Sequence, residues 1–217
     1  MKPSLDALQA LCPGLDRQLI QAHLDRLENR YFELFEPAEI AEHLRALERL
    51  APERPLEVEV RTAEGGEVEL TVIAYDYPGE FSIITGILGA TGFNVLSGDV
   101  FTYQAASSPP PPAGRRPYHR RPADPRGALL ARRKIIDHFR GRLSEQQPID
   151  LWEDRLRRLL SDCALLLERE SARGLAEARR RVNELVAERL PALQLKAEAV
   201  LYPVSYTHLT LPTIYSV

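Results

Sequence analysis

A short turn in the middle of the chain combines residue types that could bind a small zwitterion. Residues 76–81 read Asp-Tyr-Pro-Gly-Glu-Phe and join a β-type run to an apolar helical run. Pro78 fixes its own φ, and Gly79 lets a ligand approach the backbone closely. A helix beginning near Glu80 would offer N–H groups to a carboxylate, and Asp76 could receive an amine. The same sequence also suits a plain strand-to-helix turn with Asp76 as the helix cap.

Two further residues extend this candidate site. Phe81 closes the turn, and Asn94 follows Gly92 at the start of the next β-type run. Gly92 tolerates the left-handed conformation that commonly ends a helix. The Asn94 amide could contact a ligand or satisfy the local backbone. The candidate ligand-binding residues are therefore Asp76, Gly79, Glu80, Phe81 and Asn94.

Catalytic motifs are missing from the sequence. It has no P-loop, GxSxG, HExxH, paired Cys/His cluster or closely spaced acidic metal motif. Asp137 and His138 are adjacent, but neighbours on a strand point to opposite faces and do not share a metal ion. We expect no catalytic residue, metal or cofactor in this chain, whereas a longer parent protein could be an enzyme.

The bulk composition suits a globular protein of one or two domains. The 217 residues are 44% hydrophobic and 27% charged, with a formal net charge of -3, so no electrostatic bias indicates a partner. Cys12 and Cys163 lack metal or redox spacing and are typical of free thiols in a reducing compartment. No run approaches the roughly 20 apolar residues of a membrane span, and no signal peptide opens the chain. We expect a cytoplasmic protein without a membrane partner.

The periodicity predicts an α+β fold in two parts. Residues 1–54 form a helical lead segment, in which Asp16 can cap one helix and Pro37 suits the first position of another. In residues 55–203, runs of alternating apolar and polar residues predict the strands of a sheet domain, with a hairpin turn at Gly65-Gly66. After Asp150 the pattern predicts a long pair of helices that ends at Pro191. The predicted strands are 56–61, 68–74, 94–102, 134–139 and 195–202.

A Pro/Arg-rich insertion interrupts the second part at residues 105–131. It contains too few apolar residues to offset its ordering entropy, so a disordered loop is predicted. Its basic residues could dock an acidic protein surface, but no nucleic-acid-binding motif frames them, and we do not expect a nucleic-acid partner.

The last residues, 204–217, are interpreted separately from the rest. Residues 204–213 read Val-Ser-Tyr-Thr-His-Leu-Thr-Leu-Pro-Thr, which resembles the translation of a transposon-type sequencing adapter. We interpret the tail as an artefact, with a natural edge strand as the alternative. The chain before it would then be a fragment.

Two segments resemble the bacterial PII-protein uridylyltransferase/uridylyl-removing family. Residues 31–47 read Tyr-Phe-Glu-Leu-Phe-Glu-Pro-Ala-Glu-Ile-Ala-Glu-His-Leu-Arg-Ala-Leu, and the turn at 76–81 follows at a similar place. The similarity covers about residues 31–102, resumes at 134–139 and fits the strand near 195–203. In that family such a segment leads into ACT domains, the amino-acid-binding regulatory modules of metabolic enzymes.

The resemblance implies an ACT-like, ferredoxin-like βαββαβ sheet with helices on one face. ACT domains pair with one another, within one chain or as a homodimer. They bind effectors at the turn between the first strand and first helix together with the start of the second strand, which here means Asp76, Gly79, Glu80, Phe81 and Asn94. The effector in that family is glutamine and the partner a PII-type signalling protein. The alternative is a non-enzymatic interaction module that uses the sheet and the basic loop.

Overall fold

The computed structural model describes residues 2–105, 130–144, 147–169 and 171–194. Within these ranges the helices are α1 (Leu5–Leu11), α2 (Arg17–Arg26), α3 (Asn29–Leu34), α4 (Pro37–Arg49), α5 (Glu80–Ala90), α6 (Ile149–Arg169) and α7 (Ser171–Gln194). The strands are β1 (Leu56–Thr62), β2 (Val68–Tyr75), β3 (Phe93–Thr102) and β4 (Lys134–Leu143). The predicted α+β class is confirmed.

The four strands form one antiparallel sheet in the order β1-β2-β4-β3. β2 and β3 are parallel to each other because β4 lies antiparallel between them, and α5 connects them, as a ferredoxin-like sheet requires. The hairpin from β1 to β2 turns at Gly65 and Gly66, whose φ values are 71° and 76°. β1 forms the border of the described sheet next to β2, opposite the border formed by β3. The predicted strand at 195–202, the tail at 204–217 and almost all of the insertion at 105–131 lie outside the described residues.

One face of the sheet, the α5 face, is covered by α5, α6 and α7. The buried strand residues Leu56, Leu70, Val72, Ile135 and Phe139 point toward these helices. The ring of Trp152, the single tryptophan of the chain, stacks on the ring of Phe93 with centroids 5.5 Å apart. Burial of these apolar side chains fixes the helical pair against the sheet.

The other face of the sheet, the α4 face, is covered by the helical lead segment. Tyr31 and Phe35 pack their rings against Phe101 of β3, and the Tyr31 hydroxyl lies 2.8 Å from Nδ1 of His43. Helices therefore lie on both faces of the sheet. The sequence predicted the lead helices but not where they pack.

Several local predictions are confirmed by the backbone. Asp16 caps α2 by accepting the N–H of Gln18 at 2.8 Å, and Pro37 is the first residue of α4. Gly92, with a φ of 85°, follows the end of α5. Helix α7 continues to Gln194, however, past the proline at which the sequence predicted its end. None of the described helices has both the length and the apolar character needed to span a membrane.

Candidate functional site

The turn between β2 and α5 is built around a left-handed glycine. Gly79 is the N-cap of α5 with a φ of 79°, and no side chain caps the helix there. The alternative in which Asp76 caps the helix is therefore not observed. The N–H of Glu80 donates to the Tyr77 carbonyl at 3.1 Å, whereas within the described residues the N–H groups of Phe81 and Ser82 meet no acceptor. The first turn of α5 thus presents two free donors and its positive dipole end.

Asp76 contacts Arg133, the residue just before β4, through both its side chain and its backbone. Its carboxylate lies 3.0 Å from Nε of Arg133, and its N–H donates to the Arg133 carbonyl at 3.0 Å. The carboxylate remains partly exposed. An amine approaching Asp76 would therefore compete with, or join, a guanidinium already in place. Arg133 is a site residue that the sequence analysis missed.

Glu80 turns its side chain into the protein. It is 4% exposed, and one carboxylate oxygen accepts the N–H of Tyr77 at 3.1 Å while the other has no partner among the described residues. Burial raises the pKa of Glu80 well above its usual range, and Asp137 and Asp76 add to the shift. Glu80 can face a ligand only through its backbone.

Asp137 lies beneath the same turn on the α5 face of β4. It is 1% exposed, and neither carboxylate oxygen has a partner among the described residues. Burial, with a smaller contribution from Asp76, raises the pKa of Asp137 to about 7. His138 points to the α4 face, where Nδ1 lies 3.1 Å from the Thr71 hydroxyl. The expectation that Asp137 and His138 face opposite ways is confirmed.

Helices α6 and α7 close the turn from outside. A Cβ on Gly79 would lie 3.0 Å from Cδ1 of Leu175 and 3.3 Å from the Arg179 guanidinium. Arg132 donates two hydrogen bonds to Glu168 of α6, at 2.7 and 3.0 Å, and Glu168 also accepts the Tyr77 hydroxyl. The cavity that Glu80 lines measures about 10 Å³, room for about one water molecule. A ligand at this turn would have to displace α7.

Asn94 lies far from the turn in the same chain. Tyr75 pairs with Lys134 and Asn94 pairs with Arg142, which places the two ends about 26 Å apart along β4, at about 3.3 Å per residue. Asn94 lines a separate cavity of about 310 Å³ together with Arg142, Ser144 and Arg189. The structure therefore brings Asp76, Gly79, Glu80 and Phe81 together and leaves Asn94 at the opposite end of α5.

Apolar side chains are exposed at Phe81 and along β3. Phe81 is 38% exposed, and its ring stacks on that of Phe139 with centroids 6.3 Å apart. The large apolar side chains Val95, Leu96 and Val100 of β3 are also exposed, by 42%, 53% and 47%. β3 forms one border of the described sheet, so its outer backbone groups have no strand partner there. Unpaired strand edges with exposed apolar side chains are typical pairing sites.

No protein-family model matches this sequence, and no curated protein is significantly similar to it. The ACT domain and the uridylyltransferase family therefore stay predictions from the sequence. In the described residues, no group of three or more His, Cys, Asp or Glu side chains is placed to hold a metal ion.

Proposed function

We propose that this chain is an ACT-like regulatory module that binds an amino acid, with glutamine as the expected effector. The observation that supports the proposal best is the start of α5, which no side chain caps. Two N–H groups of its first turn meet no acceptor among the described residues, and the partly exposed carboxylate of Asp76 belongs to the same turn. Such donors at a helix N-terminus suit a ligand carboxylate, and Asp76 suits an amine. The effector's identity comes from the resemblance stated above.

The separation of Asn94 from Asp76 would be smaller if two chains paired through β3. The end of β2 and the end of β3 lie at the same end of the sheet because these strands are parallel. Antiparallel pairing of two β3 strands around a twofold axis would bring Asn94 of one chain to the end of the sheet that carries Asp76 of the other. The exposed Val95, Leu96 and Val100 would be buried in that pairing. The proposed site is then complete only in the dimer.

Pairing also offers a way for an effector to act. Leu175 and Arg179 of α7 lie over Gly79. A ligand can therefore occupy the turn only when α7 has moved away, and its binding would favour that arrangement over the closed one. A ligand shifts such an equilibrium only by its difference in affinity for the two arrangements. In a longer parent protein, movement of α7 could regulate another domain or contact with a PII-type signalling partner.

Calorimetric titration with glutamine, combined with measurement of the solution mass, tests the proposal. We expect a dimer that binds glutamine, with weaker binding in Asp76→Asn and Asn94→Ala. Leu96→Glu should yield monomers and lose binding, whereas Leu151→Glu, which places the same charge on an exposed leucine of α6, should change neither. If the wild-type chain binds no amino acid, the sensor proposal fails.

A second candidate is a pairing module without an effector. The closed turn and the open β3 edge favour it, because the edge needs no rearrangement to pair. Its basic loop, residues 105–131, lies almost entirely outside the described residues. A dimer that survives Asp76→Asn, dissociates in Leu96→Glu and binds no amino acid would support this candidate over the sensor.

A further inference from the structure

The carboxyl group of Glu80 lies in the contact between the start of α5 and helix α6. It borders the cavity of about 10 Å³, whose other lining residues carry no charge. These residues are Leu56, Ile83, Ile84, Leu160, Cys163, Ala164 and Leu167, the last four of them on α6. One oxygen of Glu80 accepts the N–H of Tyr77, and the other has no partner among the described residues. Helix α6 therefore packs over a carboxyl group that lacks the hydrogen bonds an ionised carboxylate needs.

The acidic groups around Glu80 add to the effect of its burial. Asp76 belongs to the same turn, and Asp137 lies on β4 beneath it. Burial raises the pKa of Glu80 well above its usual range, the hydrogen bond from Tyr77 lowers it by less, and Asp137 and Asp76 raise it further. The closed structure therefore holds Glu80 in its protonated form over a pH range in which an exposed glutamate is ionised.

The basic groups near the turn do not neutralise this carboxyl group. Arg133 pairs with Asp76 at 3.0 Å. Arg132 pairs with Glu168 of α6 at 2.7 Å. Arg179 of α7 is exposed. Within the described part of the chain, none of these three arginines donates to the buried carboxyl oxygen beside α6. Only a proton removes the cost of burying it there.

The two sides of the sheet each carry one of the two cysteines of the chain. Cys163 of α6 is 3% exposed, and burial raises the pKa of its thiol to about 11, so it is unreactive while α6 is in place. Cys12, which ends α1 in the helical lead segment, is 2% exposed, and burial also raises the pKa of its thiol. The reactivity of each thiol therefore reports exposure of its own side of the protein.

We propose that α6 and α7 open away from the sheet as a unit when Glu80 loses its proton. An ionised Glu80 needs water, and removal of α6 admits water to it. The closed arrangement binds the proton more tightly than the open one, so closure is complete below pH 4.5, the ordinary pKa of a glutamate, and weakens as the pH rises toward the raised pKa. Because α7 covers Gly79, the same movement uncovers the turn. The opening requires no effector and does not rest on the function proposed for the Asp76 turn.

Thiol labelling followed by mass spectrometry tests this opening on the full chain. Dithiodipyridine reacts with exposed thiols and remains reactive at mildly acidic pH. Labelling of Cys163 should be faster than labelling of Cys12, and the ratio of the two rates should rise about tenfold per pH unit between pH 5 and pH 7, as the release of one proton requires. The ratio cancels the pH dependence of the labelling reaction, which two exposed thiols share.

A variant assigns the titration to Glu80. Glu80→Gln removes the ionisable group and keeps an acceptor for the N–H of Tyr77, so the ratio should lose most of its pH dependence. Glu188→Gln makes the same chemical change at an exposed position of α7 and should behave like the wild type. A pH-dependent ratio that is unchanged in Glu80→Gln would assign the titration to another group and contradict the proposal.

The wild-type chain alone can also refute the opening. Equal labelling of Cys163 and Cys12 at every pH would show that both thiols are exposed only by global unfolding. A ratio of rates that does not change between pH 5 and pH 7 would show that no proton controls α6. Either result overturns the proposal even if Glu80→Gln fails to fold.

Discussion

Gly86 of α5 lies directly against Val182 of α7. A Cβ at Gly86 would stand 2.4 Å from Cγ1 of Val182, closer than any real Cβ contact. Gly86→Ala must therefore push the two helices apart, and we expect a loss of about 1–3 kcal/mol in the free energy of unfolding. Chemical denaturation measures this change.

Gly89 provides the control within the same helix. Apart from the backbone of α5 itself, no atom of the described residues lies within 4 Å of a Cβ built there. Gly89→Ala should stabilise the protein by about 0.5 kcal/mol because alanine loses less backbone entropy in a helix. Equal effects of the two substitutions would show that α7 does not pack on Gly86.

Asp137 makes the stability of the protein fall with rising pH. Its folded-state pKa of about 7 lies above the ordinary value of 3.8, so the folded state binds the proton more tightly than the unfolded state. The resulting stability is complete below pH 3.8 and is lost as the pH rises through 7. Asp137→Asn removes this titration. Its advantage over the wild type should grow by about 3 kcal/mol between pH 5 and pH 8, measured by urea denaturation.

The buried histidines act in the opposite direction. Burial lowers the pKa of both His23 and His43 to about 3 from 6.5, so the unfolded state binds more protons below pH 6.5. Their contribution is complete above that pH and is lost on acidification. In the Asp137→Asn background, adding His43→Gln, which keeps a partner for Tyr31, should make stability at pH 5 higher relative to stability at pH 7, because one of the histidine titrations is removed. Comparing the two variants cancels the opposite contribution of Glu80, which is the same in both.

Glu168 connects α6 to the turn before α5. It accepts hydrogen bonds from both Arg132 and Tyr77, and the Arg132 guanidinium lies 3.6 Å from the ring centroid of Tyr75. Glu168→Ala should cost about 1–3 kcal/mol in denaturation experiments because it removes a shared, partly buried acceptor. Glu184→Ala removes an exposed pair with Arg180 and should be nearly neutral. Similar losses in both variants would contradict the role of Glu168.

Local patterns allowed most elements to be predicted from the sequence. Asp16, Pro37 and Gly92 mark helix ends through their own conformational preferences, which act over a few residues. The prediction of a strand-to-helix turn with Gly79 succeeded for the same reason. Alternation identified the strands because their faces are unequally buried.

Properties that depend on distant neighbours could not be predicted in the same way. The periodicity of residues 1–54 does not show that they pack on the α4 face, because an apolar helix face does not specify which surface it packs against. The burial of Asp137 depends on α5 crossing above it, and the pairing of Asp76 with Arg133 depends on β4 lying beside β2. The distance of Asn94 from Asp76 likewise depends on the pairing of β2 and β3 with the two ends of β4.

The stacked Trp152 and Phe93 give the protein a built-in optical reporter. Trp152 is the single tryptophan, is 1% exposed and joins α6 to the start of β3, immediately before Asn94. Its fluorescence therefore comes from one known place, without contributions from a second indole. Detachment of the helical pair would shift its emission to longer wavelength as water reaches the ring. Rearrangement of the sheet around Asn94 can thus be followed in real time in the unlabelled protein.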